Sequence, residues 1–564
     1  MDIFGTAVTA IHEIYTITVF IKGVVSDAKN YDADKANILA KVDHEFLFLE
    51  SFKALFFDDD GALMANEQLP INLKRDVSNI LHALKSCLAE YGLLAAKHNI
   101  LLDDSEVPEC EDISTTTAAK ITSKSEWFKS KMLELKDLKK RSLDWALFDK
   151  DKLLNILVKY NQWTERLRQT MSLMLLVSAV FGNTKLKTFS DSKAARDLGL
   201  QRVAKRQLLA KASPPDTFKA LNGQIIEATD SMTDSSLQVA DYMDEWESTT
   251  RMIVEYREYS SSLVQATEMN NTKALQELKA PIHNLAWLLR SSFLSDANAG
   301  SLNDGTNQSM FTLECVGYID QPDEHQTIFL YQPPRSVASQ NQTLEIITLH
   351  DLIRSGNRQF YLGHRFFMAY ALATTILYVH GSGWVHKNIS SHGVTVFPVR
   401  KLVVSGSNGR DFDHIPYLTG WGFARPELGG TELLQDFEVE PNFYRHPARQ
   451  GNPGSAFTKE HDIYALGVVL LEIGLWKTIS ELFAKQIRIA EDRQELPPKK
   501  TIRKWLLDLA NASLAERMGK TYTSAVLACL SGDFGVESDD EHKTGLSVAF
   551  REKIIDAIRI GMAL

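Results

Sequence analysis

The stretch YVHGSGWVHKNISSHGVTVF, residues 378–397, decides how the second half of the chain is read. An apolar helical run from about Leu362 to Gly381 leads into it. The segment Trp384-Val385-His386-Lys387-Asn388-Ile389 then passes into Val394-Thr395-Val396-Phe397, whose β-branched and aromatic residues suit a strand. Three further landmarks follow in order. The first is Pro416-Tyr417-Leu418-Thr419-Gly420-Trp421-Gly422-Phe423-Ala424-Arg425, and the second is Tyr444-Arg445-His446-Pro447-Ala448. The third, His461-Asp462-Ile463-Tyr464-Ala465-Leu466-Gly467-Val468-Val469-Leu470, is apolar on every face and reads as a buried helix.

Four landmarks in this order resemble the large lobe of protein kinases, from the helix before the catalytic loop to the central buried helix. The resemblance allows the chemistry to be checked position by position. Phosphoryl transfer needs a base for the accepting hydroxyl, a carboxylate and an amide for magnesium, and a lysine for the phosphates. Asn388 stands at the position of the base and has no carboxylate; Lys387 stands at the preceding arginine. Gly393 occupies the position of the metal-binding asparagine and Gly420 that of the metal-binding aspartate. The set of catalytic groups is therefore empty, with Asn388, Gly393 and Gly420 as its degenerate positions; no metal and no cofactor is expected. Removing even one electrostatic group from such a site typically costs several kcal/mol of transition-state stabilisation. His386 and Asp462 match the scaffold residues that brace the loop, while Ala448 replaces the glutamate that closes the activation segment. Ahead of this lobe, Met252-Ile253-Val254-Glu255-Tyr256-Arg257 reads as a strand that presents Arg257 where kinases present the phosphate-binding lysine. Glu277 lies about 20 residues on, placed either to pair with Arg257 across the lobe or to be an unrelated surface charge. No GxGxxG precedes the strand, so the phosphate-covering loop is missing. Phe311 to Tyr318 and Gln326 to Tyr331 read as the next strands, running to Pro333-Pro334. A scaffold that keeps its frame without its reactive groups implies a pseudokinase rather than an enzyme.

The first third of the chain carries a different period. Ile38, Val42, Phe46, Leu49, Phe52 and Phe56 fall on one helical stripe, and Val77, Leu81, Leu84, Leu88, Tyr91 and Ala95 on another. A third holds Leu153, Leu157, Tyr160, Leu167, Met171 and Met174, near a capping Gly182. Joined by polar loops, these predict an antiparallel bundle. Residues 1–25 are apolar, with Phe4, Val8, Ile11, Tyr15 and Val19 on one face; Asp2, His12 and Glu13 argue against a signal peptide. The segment reads as a buried bundle helix or as one that enters a membrane. Residues 120–141 hold Lys129, Lys131, Lys136, Lys139, Lys140 and Arg141 beside Trp127 and Phe128. They read as a face for anionic headgroups, or as a solvated helix with Glu134 and Asp137 as partners. Trp145-Ala146-Leu147-Phe148-Asp149-Lys150-Asp151-Lys152-Leu153-Leu154, with the apolar start, is similar to the HeLo domains of the fungal prion-inhibition-and-propagation family. That resemblance implies an all-helical bundle whose first helix can be released into a membrane. "YRHPARQG" and "ACLSGDFG" resemble the kinase-like domains that follow such bundles in fungi.

Composition fits these readings. The chain has 564 residues, too many for one core, with 44% hydrophobic and 24% charged residues. Its net charge of −10 argues against a dedicated nucleic-acid binder. Cys87, Cys110, Cys315 and Cys529 form no CxxC unit, so reduced thiols are expected in place of a disulfide or zinc framework. The expected fold class is multidomain: an all-α bundle over residues 1–190, a linker over 191–215, and an α+β, bilobal, protein-kinase-like domain over 216–564. The expected function is non-catalytic signalling, in which the pseudokinase restrains a membrane-acting bundle in a cell-death or incompatibility response. The expected location is the cytoplasm, with recruitment to an anionic plasma membrane on activation; a protein partner or self-association is expected. A scaffold without membrane activity is the alternative, and an unconventional active kinase stands third.

Overall fold

The computed structural model describes residues 3–27, 32–58, 69–97, 150–177, 181–211, 213–228, 237–290, 310–334, 344–356, 360–403, 411–427, 429, 435–539 and 543–564. They divide into two units, Met1–Lys205 and Arg206–Leu564.

The first unit is helical. Its elements are α1 (Ile3–Asp27), α2 (Asp32–Lys53), α3 (Ile71–Cys87), α4 (Ala89–Lys97), α5 (Lys150–Val177), α6 (Asn183–Asp191) and α7 (Lys193–Asp197), and α8 (Gln201–Lys211) spans the division. α1 is apolar around most of its circumference, so it sits inside, against α2 and α3. Ile11, Ile14, Ile17, Phe20, Ile21, Val24 and Val25 are all buried. Buried polar pairs fix the register between helices. Thr18 Oγ1 lies 2.7 Å from the Tyr160 hydroxyl, and the buried Glu45 carboxylate accepts from Asn161 Nδ2 and Thr164 Oγ1, each at 2.8 Å. Of the residues expected at a membrane, Ile11 is buried in the core, Val8 is half-buried, and the Phe4 side chain lies outside the described residues. Lys129, Lys131, Lys136, Lys139, Lys140 and Arg141 also fall outside them. The stretch read as a linker, 191–215, is largely helical: α7 and α8 occupy most of it, and the Ser192 hydroxyl caps α7 by accepting from Ala195 N. Short polar helices carry too few periodic apolar residues to register in a sequence pattern.

The second unit begins with a five-stranded antiparallel sheet of order β1-β2-β3-β5-β4: β1 (Gly223–Ala228), β2 (Leu237–Asp244), β3 (Thr249–Glu258), β4 (Glu314–Gln321) and β5 (Gln326–Gln332). Ala240, Met252, Val254, Ile319, Ile328 and Leu330 alternate onto one face and make its core. Between β3 and β4 run α9 (Ser261–Glu268) and α10 (Thr272–Leu288), the latter packing on β4.

After β5 the unit becomes mainly helical. β6 (Ile347–Thr348) and α11 (Leu349–Arg354) precede α12 (Leu362–Gly381), which is buried almost throughout. Then come β7 (Trp384–Val385), β8 (Val394–Val403), β9 (Asp411–Leu418), β10 (Arg425–Pro426), α13 (Pro441–Tyr444) and α14 (Lys459–Leu475). β6, β8 and β9 form one small sheet, and β7 pairs with β10. α15 (Ile479–Leu482), α16 (Ala484–Arg493), α17 (Lys499–Ser531) and α18 (Thr544–Phe550) complete the succession of named helices. α14 is the buried axis, and α17 lies along it at close range. A Cβ on Gly467 would stand 2.7 Å from Cys529 Cβ, and one on Gly474 2.5 Å from Leu514 Cδ1. Cys87, Cys315 and Cys529 are free thiols, and Cys110 lies outside the described residues.

This contact makes a prediction against helix propensity. Gly467→Ala gains about 1 kcal/mol of propensity, yet it forces two helix axes apart because Cys529 Cβ cannot rotate away. The variant is expected to unfold at lower temperature than wild type, and calorimetry of the full chain checks it. An unchanged or raised midpoint would contradict the close packing.

Candidate functional site

Asp462 stands in the first turn of α14, with no exposed surface, and both of its oxygens point at the loop between β7 and β8. Oδ2 accepts from His386 N at 2.7 Å and Oδ1 from Lys387 N at 2.9 Å, while His380 Nε2 lies 3.1 Å from Oδ2. Burial by itself would raise its carboxyl pKa, but the bond to His380 and the backbone amide outweigh it and hold the group ionised. The two accepted amides keep Lys387 in the left-handed region at φ 70°, a conformation that an unbranched side chain adopts at a cost. His386 is fully buried: its Nδ1 accepts from Asn388 N at 3.3 Å, and its ring packs edge-on to Trp421 with centroids 4.5 Å apart. Burial pushes its pKa down to about 4, so the imidazole is neutral. His386 and Asp462 are thus joined through the backbone of the loop.

The three degenerate positions also meet. Gly420 adopts φ 80°, and a Cβ there would lie 3.3 Å from Asn388 Nδ2 and 3.8 Å from Gly393 Cα. A Cβ on Gly393 would press on Asn388 O at 3.1 Å and on Thr419 O at 3.4 Å. Thr419 N closes this knot by donating to Gly393 O at 2.9 Å. The side chains that converge are an amide and two hydrogens, with no carboxylate among the three.

Arg257 lies in β3 and is largely withdrawn from water, but no ion pair joins it to Glu277 among the described residues. Glu277 is exposed, because α10 turns inward only from Ile282, Leu285 and Ala286 onward. The carboxylate that acts on Arg257 is Glu255, two residues earlier and therefore on the same face of the strand. Glu255 is buried, accepts from the Tyr331 hydroxyl at 3.0 Å, and faces the backbone amides of Trp421 and Gly422. Burial pushes its pKa up to about 7, against the opposing pull of those donors and of Arg257. A second buried acid, Glu472 of α14, accepts from Tyr444 OH at 2.8 Å, Ile479 N at 2.9 Å and Ser391 Oγ at 3.2 Å. Burial likewise pushes it up to about 7. Neither acid was singled out from sequence; the signal was a lone glutamate inside each of two apolar runs, MIVEY and VVLLEIG. Beside the loop lies a cavity of about 870 Å³, lined by Lys387, Asn388, Ser390, His392, Phe423 and Glu440 among others.

Glu255 gives a signed pH dependence. Between pH 4.5 and about 7 the unfolded chain has released this proton while the folded chain still holds it, so its contribution to stability falls as pH rises. Relative to Glu255→Gln, which cannot titrate, wild type is expected to lose roughly 3 kcal/mol across that window. Denaturant unfolding of both proteins at a series of pH values measures the difference; two parallel curves would contradict a buried protonated Glu255.

Residues 319–558 match the family described as Domain of unknown function (DUF7580), a span that takes in the loop, Gly420, Glu472 and Asp462 but not Glu255 or Arg257. No curated protein matches the chain.

Proposed function

We propose that the second unit is a protein-kinase-like domain that binds partners without transferring phosphate, and that it restrains a helical unit able to act on membranes. The observation that carries this reading is the contrast at the loop. Asp462 and His386 keep the backbone braced, while Asn388, Gly393 and Gly420 meet without a carboxylate. Phosphoryl transfer is almost wholly positioning and charge stabilisation, so a braced loop without those charges retains shape and loses chemistry. Among the described helices, Gly5–Ser26 has the length and mean hydropathy, 1.4, to cross a membrane, which supports the second half of the proposal. The burial of 61% of that segment favours the competing reading, a scaffold whose bundle only assembles.

Dye release from vesicles rich in anionic lipid separates the two. The expected result is release by residues 1–205, after circular dichroism establishes that the fragment is helical, and none by the full chain. No release by the folded fragment at any lipid charge would leave the scaffold reading. Ile11→Glu is a poor control because Ile11 is buried at 1% exposure and the change would unfold the bundle. Val8→Glu, at a half-buried position, is the better one. Separately, full-length protein with magnesium and labelled ATP is expected to yield no phosphoprotein. Transfer that disappears in Arg257→Ala would overturn the non-catalytic assignment.

A further inference from the structure

We propose that His350, His392 and Glu440 bind a borderline transition-metal ion of the zinc class, with an open coordination position toward the cavity beside the loop. The three residues come from separate segments: His350 from α11, His392 from the 3₁₀ turn Ser391–Gly393, and Glu440 from the residue before α13. One ligand atom of each lies within 4.8 Å of the other two. The imidazoles of His350 and His392 stack with centroids 3.8 Å apart and planes inclined by 22°. His392 Nε2 stands 3.8 Å from Glu440 Oε1.

Three features separate this cluster from a chance meeting of side chains. His350 is 5% exposed, and its Nδ1 is buried without a hydrogen-bond partner. A buried imidazole nitrogen left unpaired is costly, and a metal ion is one of the few partners that would satisfy it. The carboxylate is already oriented: Ser480 Oγ donates to Glu440 Oε1 at 2.7 Å, the kind of supporting bond that metal ligands use to fix their direction. The donor set is also selective. Two imidazoles and one carboxylate suit Zn²⁺, Co²⁺ or Ni²⁺ and are a poor match for Mg²⁺, which prefers oxygen ligands throughout.

Geometry sets the adjustment required. Ligand atoms around one tetrahedral zinc sit about 3.3 Å apart, given bonds of about 2.1 Å. Spacings of up to 4.8 Å therefore need up to about 1.5 Å of closure, within reach of side-chain rotation in His392 and Glu440, which are each 31% exposed. Both of these line the cavity. With three protein ligands, the fourth position is left for water or for a side chain of a bound partner. The ion would tie α11, the loop and α13 together without entering the site of Asn388 and Gly420, so the inference stands or falls independently of the pseudokinase reading.

The test uses full-length protein freed of metal by chelator and titrated with Co²⁺. One saturating equivalent with the visible absorption of tetrahedral cobalt is expected, displaced by Zn²⁺ and untouched by excess Mg²⁺. His392→Ala and Glu440→Gln change partly exposed residues and leave the core packing in place. Each is expected to weaken binding by roughly 100-fold, and Ser480→Ala by roughly 10-fold, with far-UV circular dichroism unchanged. The chain holds 15 histidines, so loose binding elsewhere is the opposing outcome. Several weak equivalents without the tetrahedral spectrum, or undiminished affinity in His392→Ala, would overturn the proposal.

Discussion

The buried carboxylate of Asp462 is the constraint on which the second unit turns. An ion with no exposed surface survives folding only if its oxygens are fully engaged, and here they are engaged by the backbone of a loop distant in sequence. The consequences run outward in order. Lys387 is kept at positive φ, Asn388 is delivered to His386 Nδ1, and His386 is set edge-on against Trp421. Trp421 in turn begins the turn that faces Glu255 of the sheet. One carboxylate on the central helix thus fixes, through a single chain of contacts, how the helical part and the sheet of this unit meet.

Where the proposed kinase-like reading would have metal ligands and a phosphate-binding lysine, the second unit has Asn388, Gly393 and Gly420, and Arg257 beside a buried acid. Glu255 and Arg257 share one face of β3, the first buried and the second half-buried. With a pKa near 7, Glu255 is held between two charge states, and its partners differ in each: protonated, it can donate; ionised, it accepts from Tyr331 and faces the amides of Trp421 and Gly422. Glu472 is in the same condition beneath the loop, among Ser391, Tyr444 and Ile479. Buried acids of this kind bind the sheet and the loop to the helices through hydrogen bonds and not through charge.

The parts legible in the sequence were those fixed by short-range spacing or by dense apolar pattern. His386 and Asp462 could be located because each sits at a defined point of its own segment, a loop after a helix and the first turn of a buried helix, and hydrogen bonds join the two segments. The apolar runs behind α1, α12 and α14 marked helices for the same reason. The pairing of Arg257 with Glu277 failed because separation along a chain says nothing about which face of α10 turns inward. Glu255 was read past, as one more strand residue, since only the register of β3 against β5 brings it under Tyr331 and toward Trp421. The His350, His392 and Glu440 cluster has no signature at all in one dimension; its members belong to three unrelated local motifs. The helices of the 191–215 stretch were hidden by polar composition.

The first helix raises the question of what kind of switch the bundle can be. Its eight large buried apolar residues contribute roughly 10–20 kcal/mol to the closed bundle, so thermal release into water is negligible. Lipid changes the balance, because the same side chains remain out of water there. The polar residues divide into two groups. Thr9, Thr16 and Thr18 each donate to the carbonyl four residues earlier, at Gly5, His12 and Ile14, so their hydroxyls are satisfied by the helix itself in any surroundings. Glu13 is different: it pairs with Lys85 of α3 at 2.6 Å, and a charge near the middle of a bilayer costs about 3 kcal/mol on insertion scales. Leaving the bundle therefore breaks the Glu13–Lys85 and Lys22–Asp43 ion pairs, the Thr18–Tyr160 hydrogen bond and a set of packing contacts, while the apolar surface loses little. Under the proposed membrane reading, a helix with those terms would rest in the bundle or in lipid, the two separated by the work of extraction. Under the membrane reading, that barrier is where regulation has to act: a partner or modification that loosens α1 from α2 and α3 would release it, whereas one that only increases its attraction to lipid would not.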